Sequence, residues 1–307
     1  MTTQAVWFAD RHLVRQLPLL FRLYGLYSRL MFDRGSGRVL GGSLLLRLLA
    51  RLIRMGGLQD QAALRIGDRV VYLDLCDPRL PMVIHEVRGS VPDLDVLAQV
   101  LRPGDTFVDV GANHGTYSIA AAGFVGPSGA VVAVEAIPRL ARLVEKTLAG
   151  NGVRNFEVHA VAVADTPGVC ALFVPINGSG SASVYVSYER HERKRTIEVQ
   201  RARLDDTLGW DRYPGRVVMK LDVEGSELAC LRGATRFIVA RRPVIMLEIN
   251  PTSALAAGQE APAVLRFLET LGYDRVGEIA AFPHTAPIGQ VDCTTQRNVL
   301  VHPAGVW

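Results

Sequence analysis

Residues 106–115, TFVDVGANHG, decide how the chain is read. Thr106 to Val110 form a β-branched run of strand length that ends on Gly111, and a second glycine, Gly115, follows four residues later. The next segment, TYSIAAAGF (116–124), has helical character. Strand, glycine loop and helix in that order put the free N–H groups of a helix start beside backbone that a ligand can approach closely. A dinucleotide fingerprint would read GxGxxG, whereas this loop reads GxxxG behind an acid, Asp109.

That acid discriminates between ligands. A carboxylate beside the loop repels a pyrophosphate and suits the ammonium of an amino-acid ligand, at least through water. The pattern formed by Asp109, Gly111, Ala112, Asn113 and Gly115 therefore fits S-adenosylmethionine, with its ammonium, carboxylate and adenosine, better than NAD. Twenty residues past Gly115, Glu135 ends the next strand, GAVVAVEA, where a carboxylate can accept hydrogen bonds from both ribose hydroxyls. Asp165, after a third strand (FEVHAVAV), could reach the adenine amino group or could be an ordinary turn acid before Thr166-Pro167-Gly168.

The pattern outward from the loop is regular. A helix, RLARLVEKTLAGNG, joins the second and third strands, and this βαβαβ order predicts an α/β fold with a doubly wound, mostly parallel sheet. Residues 169–203 interrupt the alternation with three strand-like runs, VCALFV, ASVYVS and TIEVQRA, read as a β insertion. Alternation resumes with RVVMKLDV, the helix SELACLRGATRFIVA, the strand PVIMLEIN and the helix APAVLRFLETLGY. Terminal strands are expected in 273–280 and 297–302, one of them an antiparallel edge strand, and RVVYLDL and MVIHEV upstream read as short strands.

In such a fold the ends of the fourth and fifth strands face one crevice. Asp222 and Glu224 alternate with Val223, so they share a side if the strand persists, and either could serve as base or acceptor-orienting group. Lys220 could hold one of them ionised. The alternative is a hydrogen-bonded loop capping the next helix, with Glu227 in its first turn. His114 is a second candidate base. No metal is expected, although carboxylates at 222, 224 and 248 could hold magnesium if they converge.

From about Gly104 to Tyr273 the sequence resembles the FkbM family of S-adenosylmethionine-dependent methyltransferases. The matching blocks are FVDVGANHGTYS, VVAVEAIP, AVADTPG, RLDDTL, KLDVEGSELACLRGA and RPVIMLEIN, and KLDVEGSE is the most family-specific. The resemblance implies a class I methyltransferase, Rossmann-like fold and O-methylation of sugars, lipids or secondary metabolites. An oxidoreductase on a similar sheet, or an inactive methyltransferase-like module at a membrane, are the competing expectations.

Charge is uneven along the 307 residues. Residues 1–56 carry nine arginines against Asp10 and Asp33, a net +7, which leaves −3 on the remainder of a chain whose total is +4. A basic stripe with interleaved aromatics is missing from the body, so no nucleic-acid partner is expected. Arg15, Arg22 and Arg29 recur every seven residues, and Arg47, Arg51 and Arg54 at four and three, as in basic amphipathic helices. Residues 1–65 are therefore read as an N-terminal helical segment that either caps the domain or touches an anionic membrane surface through residues 10–55, and 66–307 as the methyltransferase domain. Residues 13–32 are apolar enough to weigh as a span, but apolar residues gain only about 0.3 to 0.6 kcal/mol each, and a central Arg22 costs roughly 2.5 to 3.5 kcal/mol, so a span is disfavoured. With four cysteines in no metal-ligand spacing, the expected location is cytoplasmic, either free or peripheral at the inner membrane face. The expected acceptor is a small molecule, glycan or glycolipid.

Overall fold

A computed structural model describes residues 6–9, 48, 51, 55, 62–66, 69–74, 76–77, 79–87, 91–176, 178–185, 193–209 and 211–305. Its centre is an eight-stranded sheet. Five strands run parallel, in the spatial order β11 (Val244–Ile249), β10 (Val217–Leu221), β4 (Thr106–Val110), β5 (Ala130–Val134) and β6 (Phe156–His159). Beyond β11 lie β14 (Arg297–His302), antiparallel to it, then β12 (Arg275–Glu278) and β13 (Ala286–Pro287). This is the doubly wound α/β architecture of class I methyltransferases, and the antiparallel strands are at one edge as expected.

The strand sequences explain the burial. Every residue of β4 and β10 is buried, because helices cover both faces and the strands must be apolar throughout. Alternate side chains feed two cores: Phe107 and Val218 face one, Val108, Val110, Met219 and Leu221 the other. The exceptions are Asp109 and Lys220. They are register partners across β4 and β10, hence neighbours on one face, and each is buried. A buried acid beside a buried base in a central sheet is the first structural sign of a site.

The winding reverses at β4. The chain moves from β4 outward through β5 to β6, then returns to the other side for β10 and β11. A crevice is expected outside the carboxyl ends of β4 and β10, where the crossovers diverge.

Several expectations need correction. MVIHEV is not a strand but part of a helix, Leu80–Val87: Leu80, Val83 and Glu86 are buried three apart while Met82 is exposed, and Pro81 sits in the first turn where its missing N–H costs nothing. FEVHAVAV splits: β6 stays in the main sheet, whereas β7 (Ala162–Val163) leaves it to join β8 (Gly168–Pro175) and β9 (Lys194–Ala202) in a separate three-stranded sheet. Within ASVYVS only Ser183 pairs, bridging to Phe173, among the described residues. The helix after β10 is broken at Ala234 into Glu227–Gly233 and Thr235–Arg241.

In the N-terminal segment, Val6–Ala9 is a strand, β1, paired antiparallel with β2 (Ala62–Ile66), which pairs in turn with β3 (Arg69–Leu73). The boundary read at 65/66 thus falls inside a strand. Leu48, Arg51 and Met55 are helical and exposed. The rest of residues 10–55, expected either to cap the domain or to touch a membrane surface, lies outside the described residues. No described helix is long and apolar enough to cross a membrane.

Candidate active site

The crevice is real and its walls come from the loops after β4, β5 and β10. The N–H groups of Gly111 and Ala112 donate to the Val134 carbonyl at 2.9 and 3.0 Å, tying the glycine loop to β5. On the other side the Asp222 N–H donates to the Val110 carbonyl at 3.1 Å. The two loops touch so closely that a Cβ on Gly111, where φ is +85°, would lie 1.9 Å from the Asp222 carbonyl oxygen. Glu135, at the end of β5, accepts from the Asn113 N–H through Oε2 and from the Ile137 N–H through Oε1, both at 2.8 Å. Burial pushes its carboxyl up to about 7 despite these donors.

Between these loops lies a cavity of about 300 Å³. Its wall includes the apolar Ala162, Val163 and Leu172 and the polar Lys220, Asp222, Glu224, Glu248 and Gln296. Glu135 and residues 111–113 also line it. Such a wall combines apolar surface, a carboxylate suited to a diol, and charged groups.

Residues 109–275, more than half of the chain, match the model of the methyltransferase FkbM domain. The chain belongs to the FkbM methyltransferase family. It is an S-adenosylmethionine-dependent methyltransferase. No functionally curated protein matches it significantly. Among solved structures it is similar to a methyltransferase FkbM from Methylobacillus flagellatus KT, with 17% identity and a TM-score of 0.40 over 73% of this chain, and it spans only 54% of that one. It is also similar to a cofactor-bound protein from MTB (18% identity, TM-score 0.40, 73% of this chain and 88% of the other). A Streptococcus mutans protein solved with SAH resembles it at 12% identity and a TM-score of 0.39, over 68% of this chain and 94% of the other. These likenesses are distant, and the assignment rests on the domain match.

The FkbM methyltransferase's cavity fits its cofactor by the chemistry of its donor set. Ala162, Val163 and Leu172 offer apolar surface for an adenine, Glu135 offers acceptors for ribose hydroxyls, and the wall carries both signs of charge for an amino-acid tail. Gly111, Ala112 and Asn113 line the cavity as expected. Gly115 works from behind: at φ +75° it lets the loop pack on Val144, whose methyls would be 3.1 Å from an added Cβ.

Other expected residues sit elsewhere. Asp109 is fully buried behind the loop, accepting from the Ser118 hydroxyl at 2.6 Å, and is not part of the cavity wall. Burial pushes its carboxyl up, and Lys220 partly offsets this. Asp165 is exposed, contacts the Thr166 hydroxyl at 3.3 Å and does not line the cavity. His114 is buried and turned away from the cavity, with Nδ1 2.6 Å from the Asn113 side-chain oxygen and Nε2 4.0 Å from Asp77. Burial lowers its pKa, so it is neutral and out of reach of an acceptor.

Asp222 and Glu224 do reach the cavity, but not as alternate residues of a strand. β10 ends at Leu221, and the chain turns so sharply that Glu224 takes φ +50°, a conformation costly for a residue with a Cβ. The Ser183 hydroxyl holds the turn by donating to the Glu224 carbonyl at 2.6 Å. One oxygen from each of Asp222, Glu224 and Glu248 comes within 4.8 Å of the others. Glu248 accepts from the Gln296 amide at 2.6 Å. Asp222 accepts from Lys220 Nζ at 2.9 Å, and Lys220 lies 4.6 Å from the Tyr117 ring centre. Burial opposes charge on Asp222, but Lys220, and Arg79 beyond it, outweigh it and hold the carboxyl below its usual range. Glu224 has the opposite fate: burial, then Asp222 and Glu248, push it up to about 9.

Sequence reading missed Arg79, Glu86 and Tyr117, all on the cavity wall. Glu86 belongs to MVIHEV and Arg79 to the turn just before that helix, both upstream of the family match. Their seven-residue spacing on one helical face was the available signal.

Glu135→Gln should weaken binding of S-adenosylhomocysteine by about tenfold, because an amide offers one acceptor oxygen where the carboxylate offers two. Wild-type affinity should rise as pH increases through about 7, where Glu135 ionises. Isothermal titration from pH 6 to 8 measures both, and an unaltered dissociation constant in the variant would remove Glu135 from the binding site.

Proposed function

We propose that this methyltransferase methylates a hydroxyl of a glycan or glycolipid, with Asp222 as the base; a hydroxylated secondary metabolite is the remaining substrate class. The supporting observation is the convergence of Asp222, Glu224, Glu248 and Gln296 on one part of the cavity wall. These groups are hydrogen-bond partners for a neutral, hydroxyl-rich acceptor, and their negative charge disfavours an anionic one. When bound, S-adenosylmethionine supplies an electrophilic methyl group on a sulfonium.

The chain's own residues must align the acceptor, exclude water and take the hydroxyl proton. Asp222 is ionised at neutral pH because Lys220 is beside it, so it can receive that proton. Glu224 holds a proton at neutral pH and can donate a hydrogen bond to a second acceptor oxygen. That proton also relieves repulsion among the three carboxylates without a cation. Contact with a membrane surface through residues 10–55 belongs to the same proposal, since it would bring the enzyme to a lipid-linked acceptor.

The test is transfer of a labelled methyl group from S-adenosylmethionine into a cell extract by the purified protein, with products identified by mass spectrometry. Label is expected on an ether oxygen of a carbohydrate-bearing product, with full activity in EDTA. Label on nitrogen or carbon would overturn the hydroxyl assignment, and activity abolished by EDTA and restored by magnesium would make the carboxylates metal ligands. No transfer to any acceptor would favour an inactive module.

A further inference from the structure

We infer that Arg79 binds the α-carboxylate of S-adenosylmethionine and gives the enzyme its preference for the complete amino-acid tail. The inference rests on the cofactor alone and not on the proposed acceptor.

The cavity's charges set the problem. Five carboxylates line it, those of Glu86, Glu135, Asp222, Glu224 and Glu248, against two cations, Arg79 and Lys220. A ligand carboxylate entering these walls needs a cation with free donors. Lys220 is committed to Asp222 at 2.9 Å and to the face of Tyr117. Arg79 is not used up. Among the described residues its guanidinium has one side-chain hydrogen bond, to Glu86 Oε1 at 2.7 Å, and a guanidinium carries five N–H donors in a planar fork that matches a carboxylate.

The fork is also fixed in place. Glu86 accepts from the Thr116 hydroxyl at 3.0 Å through its other oxygen, which ties the guanidinium to the first residue of the helix after the glycine loop. The backbone N–H of Arg79 donates to Asp77 Oδ1 at 2.9 Å, and the same oxygen accepts the Ser179 N–H at 3.1 Å. Asp77 thereby joins the Arg79 turn to the segment 179–182 that covers the cavity. At Gly180 a Cβ would come within 2.8 Å of Arg79 Cδ and Nε, so the glycine lets that segment lie directly on the arginine stem. Glu86 serves as a resident counter-ion that spares the arginine an unpaired burial. The side chain keeps 28% of its surface exposed although it is clasped on these sides.

The measurement is calorimetric binding of three ligands: S-adenosylmethionine, its decarboxylated analogue, and 5′-methylthioadenosine, which lacks the whole amino-acid tail. Wild type should prefer S-adenosylmethionine over the decarboxylated analogue by about 10- to 100-fold, the range for a hydrogen-bonded charge pair. Arg79→Gln should reduce that preference to within about threefold while leaving methylthioadenosine affinity within about twofold, a selectivity that general damage to the site would not produce. A wild type without preference, or an R79Q protein that keeps it, overturns the inference. If R79Q no longer binds methylthioadenosine, Arg79→Lys decides: loss of the fork should cut the preference at least about threefold, and an unchanged preference overturns the inference.

Discussion

An Asp222→Asn enzyme is expected to bind S-adenosylhomocysteine within about threefold of wild type and to lose roughly 10²- to 10⁴-fold in kcat, the contribution of a positioned general base. The amide keeps the shape and can still accept from Lys220, so the fold should survive. Lys220 also retains the field of Asp109, its register partner. Because the Asp222 side chain is 37% exposed, the stability lost with its charge should be only about 1 kcal/mol. The pH profile separates a base from a bystander. Asp222 must be ionised and its pKa lies below the ordinary range, so kcat at saturating cofactor should hold constant as pH falls until well into acid. Glu224 must be protonated and titrates at about 9, so the rate should fall as pH rises past that value, and Glu224→Gln should remove this basic limb. An Asp222→Asn enzyme with near wild-type kcat would take the base role away from Asp222.

The sequence was informative where function is carried by backbone pattern, and less so where it is carried by convergence. β4, its glycine loop and Glu135 were legible because a strand, a turn and a helix start each impose residue types at fixed spacing. Asp165 shows the limit of that reasoning. The chain leaves the main sheet after β6, and this turns the acid outward, a departure that no local spacing announces. Asp222 and Glu224 were found for an incomplete reason. Strand alternation would have put them side by side, but the strand stops one residue earlier, and a left-handed turn at Glu224 brings them together instead. Glu248 joins them only because β11 pairs with β10 in one particular register. Glu86 was hidden because a short apolar run, MVIHEV, is compatible with strand or helix, and only packing decides between them; Arg79 was hidden because it stands in the turn ahead of that run. Asp109 was expected near the ligand, yet it acts from the next layer, where its charge helps hold Lys220 protonated.

Gly111→Ala should be far more damaging than Gly152→Ala, and the reason separates strain from collision. At φ +85° an alanine pays about 1–2 kcal/mol for a left-handed backbone. Gly152, at φ +74°, would pay the same, but nothing lies within 4 Å of its added Cβ. At Gly111 the added carbon meets the Asp222 carbonyl oxygen at 1.9 Å and its carbonyl carbon at 2.9 Å, and both are backbone atoms that no rotamer change can move aside. The loops after β4 and β10 must part, and parting them breaks the Asp222 N–H bond to Val110 and displaces the Asp222–Lys220 pair. Cofactor cleft and base would be lost together. The expected contrast is a Gly152→Ala protein that melts a few degrees lower with unchanged affinity for S-adenosylhomocysteine, and a Gly111→Ala protein that binds it at least about 100-fold more weakly or does not fold, given that overpacking costs about 1–3 kcal/mol and occasionally more beyond the backbone term. Thermal denaturation and calorimetry on the two variants would show it. Equal behaviour of the pair would mean that the two loops are not in the contact on which the position of Asp222 depends.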